Sequence, residues 1–283
     1  MGFSRRLFFC LRSRSFQSIE KPFFGSSVLR FFGSSVRLLD TISVMRTIGC
    51  LLLIGVVAFA QASRPVEEFK TKAGVVKITP IRHASMMIEA AGKVIFVDPW
   101  SQGNFDGLPK ADLILITDIH PDHLDQAAID KVRKDGTVFI APAAVAKTIT
   151  SARVLANGQT TTWDQWAIEA VPMYNLKRGP TPGTFFHDKG RGNGYILNYS
   201  DTRFYIAGDT EGIPEMRALK NIDVAFVPMN LPYTMTPEEA ADAVRAFHPK
   251  VVYPYHYRGS DTEAFKKALD GTGIDVRLRN WYY

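Results

Sequence analysis

Five ionisable side chains crowd one short run, Thr117-Asp118-Ile119-His120-Pro121-Asp122-His123-Leu124-Asp125. The run follows an apolar stretch, Asp112-Leu113-Ile114-Leu115-Ile116-Thr117, that reads as a buried strand, and it opens a helical pattern over Leu124 to Lys134. Unpaired charge beside a buried strand is costly. Bound divalent cations would account for it, because imidazole and carboxylate are ligands that zinc, manganese and iron take. A polar strand-to-helix turn capped by Asp122 is the alternative, and the run by itself leaves both open. More of the same chemistry recurs downstream. Ala207-Gly208-Asp209-Thr210 and Tyr253-Pro254-Tyr255-His256-Tyr257 each place a candidate ligand at a strand end, and Phe186-His187 sits in a loop. Four of the six histidines, His120, His123, His187 and His256, thus fall at strand ends or in loops.

Short strands would hold these positions. Val75–Ile78, Ser85–Glu89, Lys93–Val97, Val138–Ile140, Tyr195–Tyr199, Arg203–Ala207, Asp223–Val227, Lys250–Tyr253 and Ile274–Leu278 are apolar and rich in β-branched residues. Val154, Thr160–Trp163 and Trp166–Val171 read as an antiparallel stretch, and Pro142 to Thr150 as a helix. Thr236, Pro237 and Glu239 form a capping box at a helix start; Ser260 and Glu263 have the spacing of a second before Ala264–Leu269. Pro172 to Asn193 is a long Gly/Pro-rich segment, and loops of that length inside a domain usually carry function. Two β-rich halves with flanking helices predict an α/β protein with a four-layer αββα sandwich.

Several ordered motifs together carry a family resemblance. Thr117–Asp125 resembles the T-H-x-H-x-D-H signature of the metallo-β-lactamase superfamily, and Gly208-Asp209 and His256 match its later metal motifs in order. Ile81-Arg82-His83-Ala84-Ser85, Val97-Asp98-Pro99 and Met235-Thr236-Pro237-Glu238-Glu239-Ala240 resemble the branch of ascorbate-phosphate lactonase-like proteins and, more distantly, N-acyl-phosphatidylethanolamine phospholipase D. The likeness covers about residues 75–283. It implies the metallo-β-lactamase fold and two divalent ions, zinc first, with manganese or iron as alternatives. One cation would be held by Asp118, His120 and His187, the other by Asp122, His123 and His256, with Asp209 bridging. Asp118 stands where the family has a histidine, which makes the first set harder and more anionic. The resemblance implies a metal-bridged hydroxide, oriented by Asp122, that attacks an ester, lactone or phosphodiester. Because of the exchange at Asp118, a non-catalytic metal-binding or partner-binding descendant is the competing reading.

Around these ligands, His83, Arg191, Asn230 and Tyr233 are candidates for substrate contact. His83 reads equally well as a core histidine. Lys177, Arg178 and Lys189 share the long loop with Arg191 and could meet an anion or simply be solvated; Tyr255 and Tyr257 stand beside strand ends. His248 is expected at a helix C-terminus, interacting with the helix dipole. The substrate expected is a small or lipid-like molecule.

Charge counts against another class. The 283 residues carry a net +6, but residues 1–62 account for all of it, with eight Lys/Arg against two acids; the rest holds 26 of each. A neutral body does not favour a nucleic-acid partner, which would need a sustained positive surface. Cys10 and Cys50 also lie in residues 1–62, so the body has no thiol nucleophile, cysteine ligand or disulfide. Residues 1–62 read as a leader whose final part, 44–62, resembles a signal peptide. Met45-Arg46 precedes the apolar run Gly49–Ala60, and Ala60-Gln61-Ala62 offers a cleavage site. Export after cleavage is expected, with a membrane anchor or an organellar address as alternatives. Residues 63–74 are expected to link the leader to the domain at 75–283.

Overall fold

The computed structural model describes residues 64–283; the leader, the signal-like segment and the cleavage position after Ala62 lie outside the described residues. The first part of the described chain runs β1 (Glu67–Thr71), β2 (Gly74–Arg82), β3 (Ser85–Ala90), β4 (Lys93–Val97), β5 (Leu113–Leu115), α1 (Gln126–Val132), β6 (Val138–Ala141), α2 (Ala143–Ala146) and β7 (Arg153–Val154). The second runs β8 (Thr160–Trp163), β9 (Trp166–Met173), β10 (Gly192–Tyr199), β11 (Thr202–Ile206), α3 (Pro214–Arg217), β12 (Val224–Pro228), α4 (Pro237–Phe247), β13 (Val251–Tyr255), α5 (Thr262–Ala268) and β14 (Asp275–Val276).

Each part folds into one seven-stranded sheet in simple sequential order, β1 to β7 and β14 to β8. In the first sheet β1 to β4 pair antiparallel and β4 to β7 parallel. In the second, β8 to β11 are antiparallel and β11 to β14 parallel. Parallel strands need crossovers, and the crossovers put helices on the outer faces. One core lies between the sheets, where Met86, Ile88 and Leu113 meet Trp166, Tyr195, Phe226 and Tyr253. A second packs Ile114 and Phe96 against Ala128, Ile129 and Val132 of α1. A third packs Tyr205 and Val227 against Ala240, Val244 and Phe247 of α4 and Phe265 of α5. The order is helix, sheet, sheet, helix, which is the αββα sandwich expected.

Local signals account for most of the elements. Helix α4 begins as its sequence indicates, with Thr236 and Glu239 exchanging side-chain and backbone hydrogen bonds. It ends at His248, whose left-handed φ of 47° closes the last turn while its Nε2 meets the Thr272 carbonyl. The other cap is shifted: Asp261, not Ser260, accepts from the Ala264 N–H at the start of α5, while the Ser260 hydroxyl donates to the Met229 carbonyl. The helix expected over Pro142–Thr150 is one turn only, and Val154 pairs parallel with β6 in the first sheet rather than with β8.

The expected linker is corrected as well. Residues 67–71 form β1, paired with β2 from Glu67 opposite Ile78 to Thr71 opposite Gly74. Phe69 packs edge-on against Phe204 and Tyr253, and the Glu67 carboxylate takes the Tyr253 hydroxyl at 2.6 Å and the Arg279 guanidinium. One phenylalanine among charged neighbours makes too little apolar pattern to announce a strand. Its partners come from the far end of the chain.

Candidate metal centre

The ligand candidates gather where parallel strands end. In open sheets the loops after the carboxyl ends of such strands form the crevice, and here β4 leads to Asp98, β5 to Thr117–His123, β11 to Asp209 and β13 to His256. Asp98 is buried and fastens the β5 loop. Its carboxylate accepts from the Thr117 N–H at 2.8 Å, from the Thr117 hydroxyl at 2.6 Å and from His123 Nδ1 at 2.8 Å. Because Asp98 holds Nδ1–H, the lone pair of His123 is on Nε2.

That Nε2 lies 3.2 Å from Asp209 Oδ2; His187 Nε2 lies 3.1 Å from the same oxygen, and His256 Nε2 lies 3.2 Å from Asp209 Oδ1. Asp209 can approach because the preceding residue is glycine. Gly208 has φ of 66°, and a Cβ there would stand 2.6 Å from Met173 Sδ. The His187 tautomer is set by a chain of amides. Asn175 Oδ1 accepts from the His187 N–H and from its Nδ1, both at 2.8 Å, while Asn175 Nδ2 donates to Glu211 Oε1 and to the Tyr233 carbonyl. His187 Nε2 is therefore also a lone-pair donor facing Asp209. The Nε2 atoms of His123, His187 and His256 and Asp209 Oδ1 are buried and have no hydrogen-bond partner among the described residues. Three imidazole Nε2 atoms that converge without partners around a carboxylate are what a divalent cation would satisfy, so these residues fit a metal ion.

Charge at the cluster is arranged to match. Burial works against the ionised form of Asp209, yet His256 and His123 hold its carboxyl well below the usual range. Burial likewise disfavours a charged His123, but Asp209, Asp98 and Asp122 hold it well above the imidazole range. A proton on His123 and a metal ion thus compete for the same buried negative charge.

The remaining expected residues fall into three groups. Asp122 is partly exposed on the cavity side, with Oδ2 3.6 Å from His256 Nε2 and 3.3 Å from His83 Nε2, and Oδ1 3.9 Å from His123 Nε2. Asn230 and Tyr233 line a cavity of about 260 Å³ together with His120, Asp122, His187, Asp209 and Arg258. His83 is fully buried with its ring 3.6 Å from the His256 ring, and its Nδ1 meets the Tyr282 hydroxyl at 2.5 Å. Desolvation, then the neighbouring His256, pushes His83 down to about 4, so it is neutral beside Asp122. Asp118 and His120 are close to His187, with possible ligand atoms within 4.8 Å of one another. Both Asp118 oxygens, however, meet the Arg191 guanidinium, at 3.0 and 2.7 Å.

Other loop cations are used elsewhere. Lys177 and Arg178 pair with Glu239, Arg178 also with Glu211, and Lys189 with Glu215. A larger cleft of about 510 Å³ is lined by such pairs, including Arg217–Asp242, and contains none of the histidines. Tyr255 and Tyr257 are structural, since Tyr255 accepts from the Gly208 N–H and Tyr257 donates to the Arg279 carbonyl. Glu211 was missing from the sequence expectations. It is buried and accepts the N–H groups of Leu176, Lys177 and Arg178 at 3.0–3.2 Å, tying down the loop that carries His187. An acid two residues past Asp209, just before Gly212-Ile213, was its only sequence signal.

Comparison with known proteins agrees with this geometry. Residues 77–256 match the family described as the beta-lactamase superfamily domain. A metal-dependent hydrolase of Thermococcus kodakarensis is 32% identical over 69% of this chain and 92% of its own length. A crystal structure from Parabacteroides distasonis, assigned as a metal-dependent hydrolase, is 48% identical, with a TM-score of 0.73 over 77% of this chain and 99% of that one. A metallo hydrolase from Ignicoccus hospitalis is 26% identical, with a TM-score of 0.62 over 72% and 95% of the two chains. The fold, the buried histidine-carboxylate cluster and these relatives agree: the chain belongs to the beta-lactamase superfamily domain family and is a metal-dependent hydrolase of the metallo-β-lactamase fold.

Proposed function

We propose that this hydrolase cleaves an ester, lactone or phosphodiester in a small or lipid-like molecule, using water activated at the Asp209-centred cluster. The observation that carries the reading is the convergence of the His123, His187 and His256 Nε2 atoms on Asp209 at 3.1–3.2 Å. A divalent cation bound there, zinc first and manganese or iron as alternatives, supplies a Lewis acid that makes water nucleophilic near neutral pH. Asp122 borders both this cluster and the cavity, so its carboxylate can orient the attacking water and hold its proton. His83, neutral and buried, sets its Nε2 3.3 Å from Asp122 Oδ2 and so backs that carboxylate. Its Nδ1 is held by the Tyr282 hydroxyl, which also accepts from the Arg258 N–H. Asn230, Tyr233 and Arg258 line the substrate side of the cavity. Export is part of the proposal, supported by the signal-like run before Ser63.

The test is a substrate panel. Metal-loaded protein is assayed against aryl esters, lactones and a bis-aryl phosphodiester, beside an Asp209→Asn variant. One class should turn over in the parent, and the variant should fall by at least about a hundredfold, the loss of a few kcal/mol of transition-state stabilisation. A fully loaded parent inert on all three classes would sink the proposal.

A further inference from the structure

Asp118, His120 and His187 are the set that the family resemblance would give to a second cation. The structure gives Asp118 a different partner. Arg191 Nε donates to Asp118 Oδ1 at 3.0 Å and its NH2 to Oδ2 at 2.7 Å, the two-pronged geometry that suits a guanidinium and a carboxylate. The same NH2 lies 3.4 Å from His120 Nε2. His187 Nε2 faces Asp209.

The backbone builds this pair. The Asn193 N–H bonds the Thr117 carbonyl at 2.9 Å, which brings Arg191, two residues before Asn193, against Asp118, the residue after Thr117. Gly192 permits the approach, because a Cβ there would stand 2.8 Å from the Thr117 oxygen and 2.4 Å from Met173 Cε. Asp118 is fully buried, and the Arg191 side chain is 17% exposed with no other acidic partner among the described residues. The two sets differ in what is left over. Around Asp209 the buried ligand atoms lack partners, whereas no side-chain atom of Asp118 or Arg191 is buried and unsatisfied. A cation entering at Asp118 would have to evict the guanidinium from this carboxylate, and breaking a buried pair is strongly unfavourable.

We propose that this chain is a one-metal centre. A divalent ion is held at His123, His187, His256 and Asp209, and the Arg191 guanidinium, fixed by Asp118, supplies the positive charge where the family resemblance implies the other ion. The inference rests on the proposed function only in requiring a cation at Asp209.

Metal content decides it without any activity measurement. The full chain is stripped with chelator, reloaded with zinc and separately with manganese, freed of excess ion, and analysed by elemental mass spectrometry and calorimetric titration. The parent should retain one ion per chain, His120→Ala should also retain one, and His256→Ala should lose it. Arg191→Met, which removes the guanidinium but keeps an unbranched side chain, should admit a second ion at the freed Asp118 and His120. Two ions in the parent, falling to one in His120→Ala, would overturn this inference and leave the proposed function standing. An Arg191→Met protein still holding one ion would overturn the claim that the guanidinium excludes the second. A parent that retains no ion would overturn both readings together.

Discussion

Glu211 touches no candidate ligand, yet replacing it should weaken metal binding. Its carboxylate accepts three consecutive backbone amides, Leu176 at 3.1 Å, Lys177 at 3.2 Å and Arg178 at 3.0 Å, and the Asn175 side-chain amide at 3.2 Å. Asn175 in turn fixes His187. Hydrogen bonds to a charged acceptor contribute about 1.5–3 kcal/mol each when fully buried, and neutral ones about 1 kcal/mol. These amides are partly buried and can recover water, so about 1 kcal/mol each is the appropriate figure, or roughly 3–4 kcal/mol for the clamp. In Glu211→Ala that loss falls on the segment 175–187 rather than on the sheets. The ordered loop must then be regained each time a metal ion binds, which lowers affinity by the fraction of chains with His187 in place. With 3–4 kcal/mol withdrawn from an ordered state about 3 kcal/mol stable, the ordered fraction falls to between about a half and a sixth, and metal affinity drops by about twofold to sixfold. Glu211→Gln retains an acceptor and should lie between. Competition against a chromophoric chelator measures the affinity, and thermal melts of the stripped proteins report the fold. If Glu211→Ala binds metal as tightly as the parent while its melting temperature falls, the residue stabilises the fold alone and the link to His187 is wrong.

Asp98→Asn should reduce metal affinity by about 10–100-fold, as loss of a ligand-orienting carboxylate does, measured in the same chelator competition with the fold checked by circular dichroism. An amide NH2 facing His123 Nδ1 would move the ring proton to Nε2 and remove the lone pair. Asp122→Ala should retain metal by elemental analysis but lose turnover by about a hundredfold or more, seen as a fall in kcat rather than a rise in KM. Metal affinity should climb as pH rises through and above the ordinary imidazole range. His123 in the metal-free protein holds its proton to higher pH than a free imidazole, and that proton must leave before the ion binds; a flat profile from pH 5 to 8 would contradict the competition. Intact mass of exported protein should correspond to a chain beginning at Ser63, and a retained Met1 or Met45 would refute cleavage there.

Which features the sequence disclosed follows from the reach of the interactions involved. The αββα order was legible because each layer leaves a local mark: continuous apolar runs at β5 and β12, and the capping box of Thr236 and Glu239 at α4. The ligand candidates were legible because charge at a strand end is rare enough to need a reason. β1 was not, because its strand character depends on Phe204, Tyr253 and Arg279, partners more than a hundred residues away. Glu211 and Asn175 were not, since their importance lies in holding a loop whose path no periodicity records. The Asp118 exchange shows the limit most sharply. Read along the chain, Asp118 is a carboxylate in place of a histidine and therefore a harder ligand. Read in three dimensions, it is the counter-ion of Arg191, 73 residues further on. Both readings use the same chemistry, a buried negative charge that must be neutralised. They differ only in which positive charge does it, and that is settled by Gly192, whose missing side chain lets β10 start against Thr117. A bulkier residue there would move the guanidinium away and return Asp118 to a metal ion. Gly192→Ala is thus expected to act on metal stoichiometry in the same direction as Arg191→Met, although position 192 carries no ligand at all.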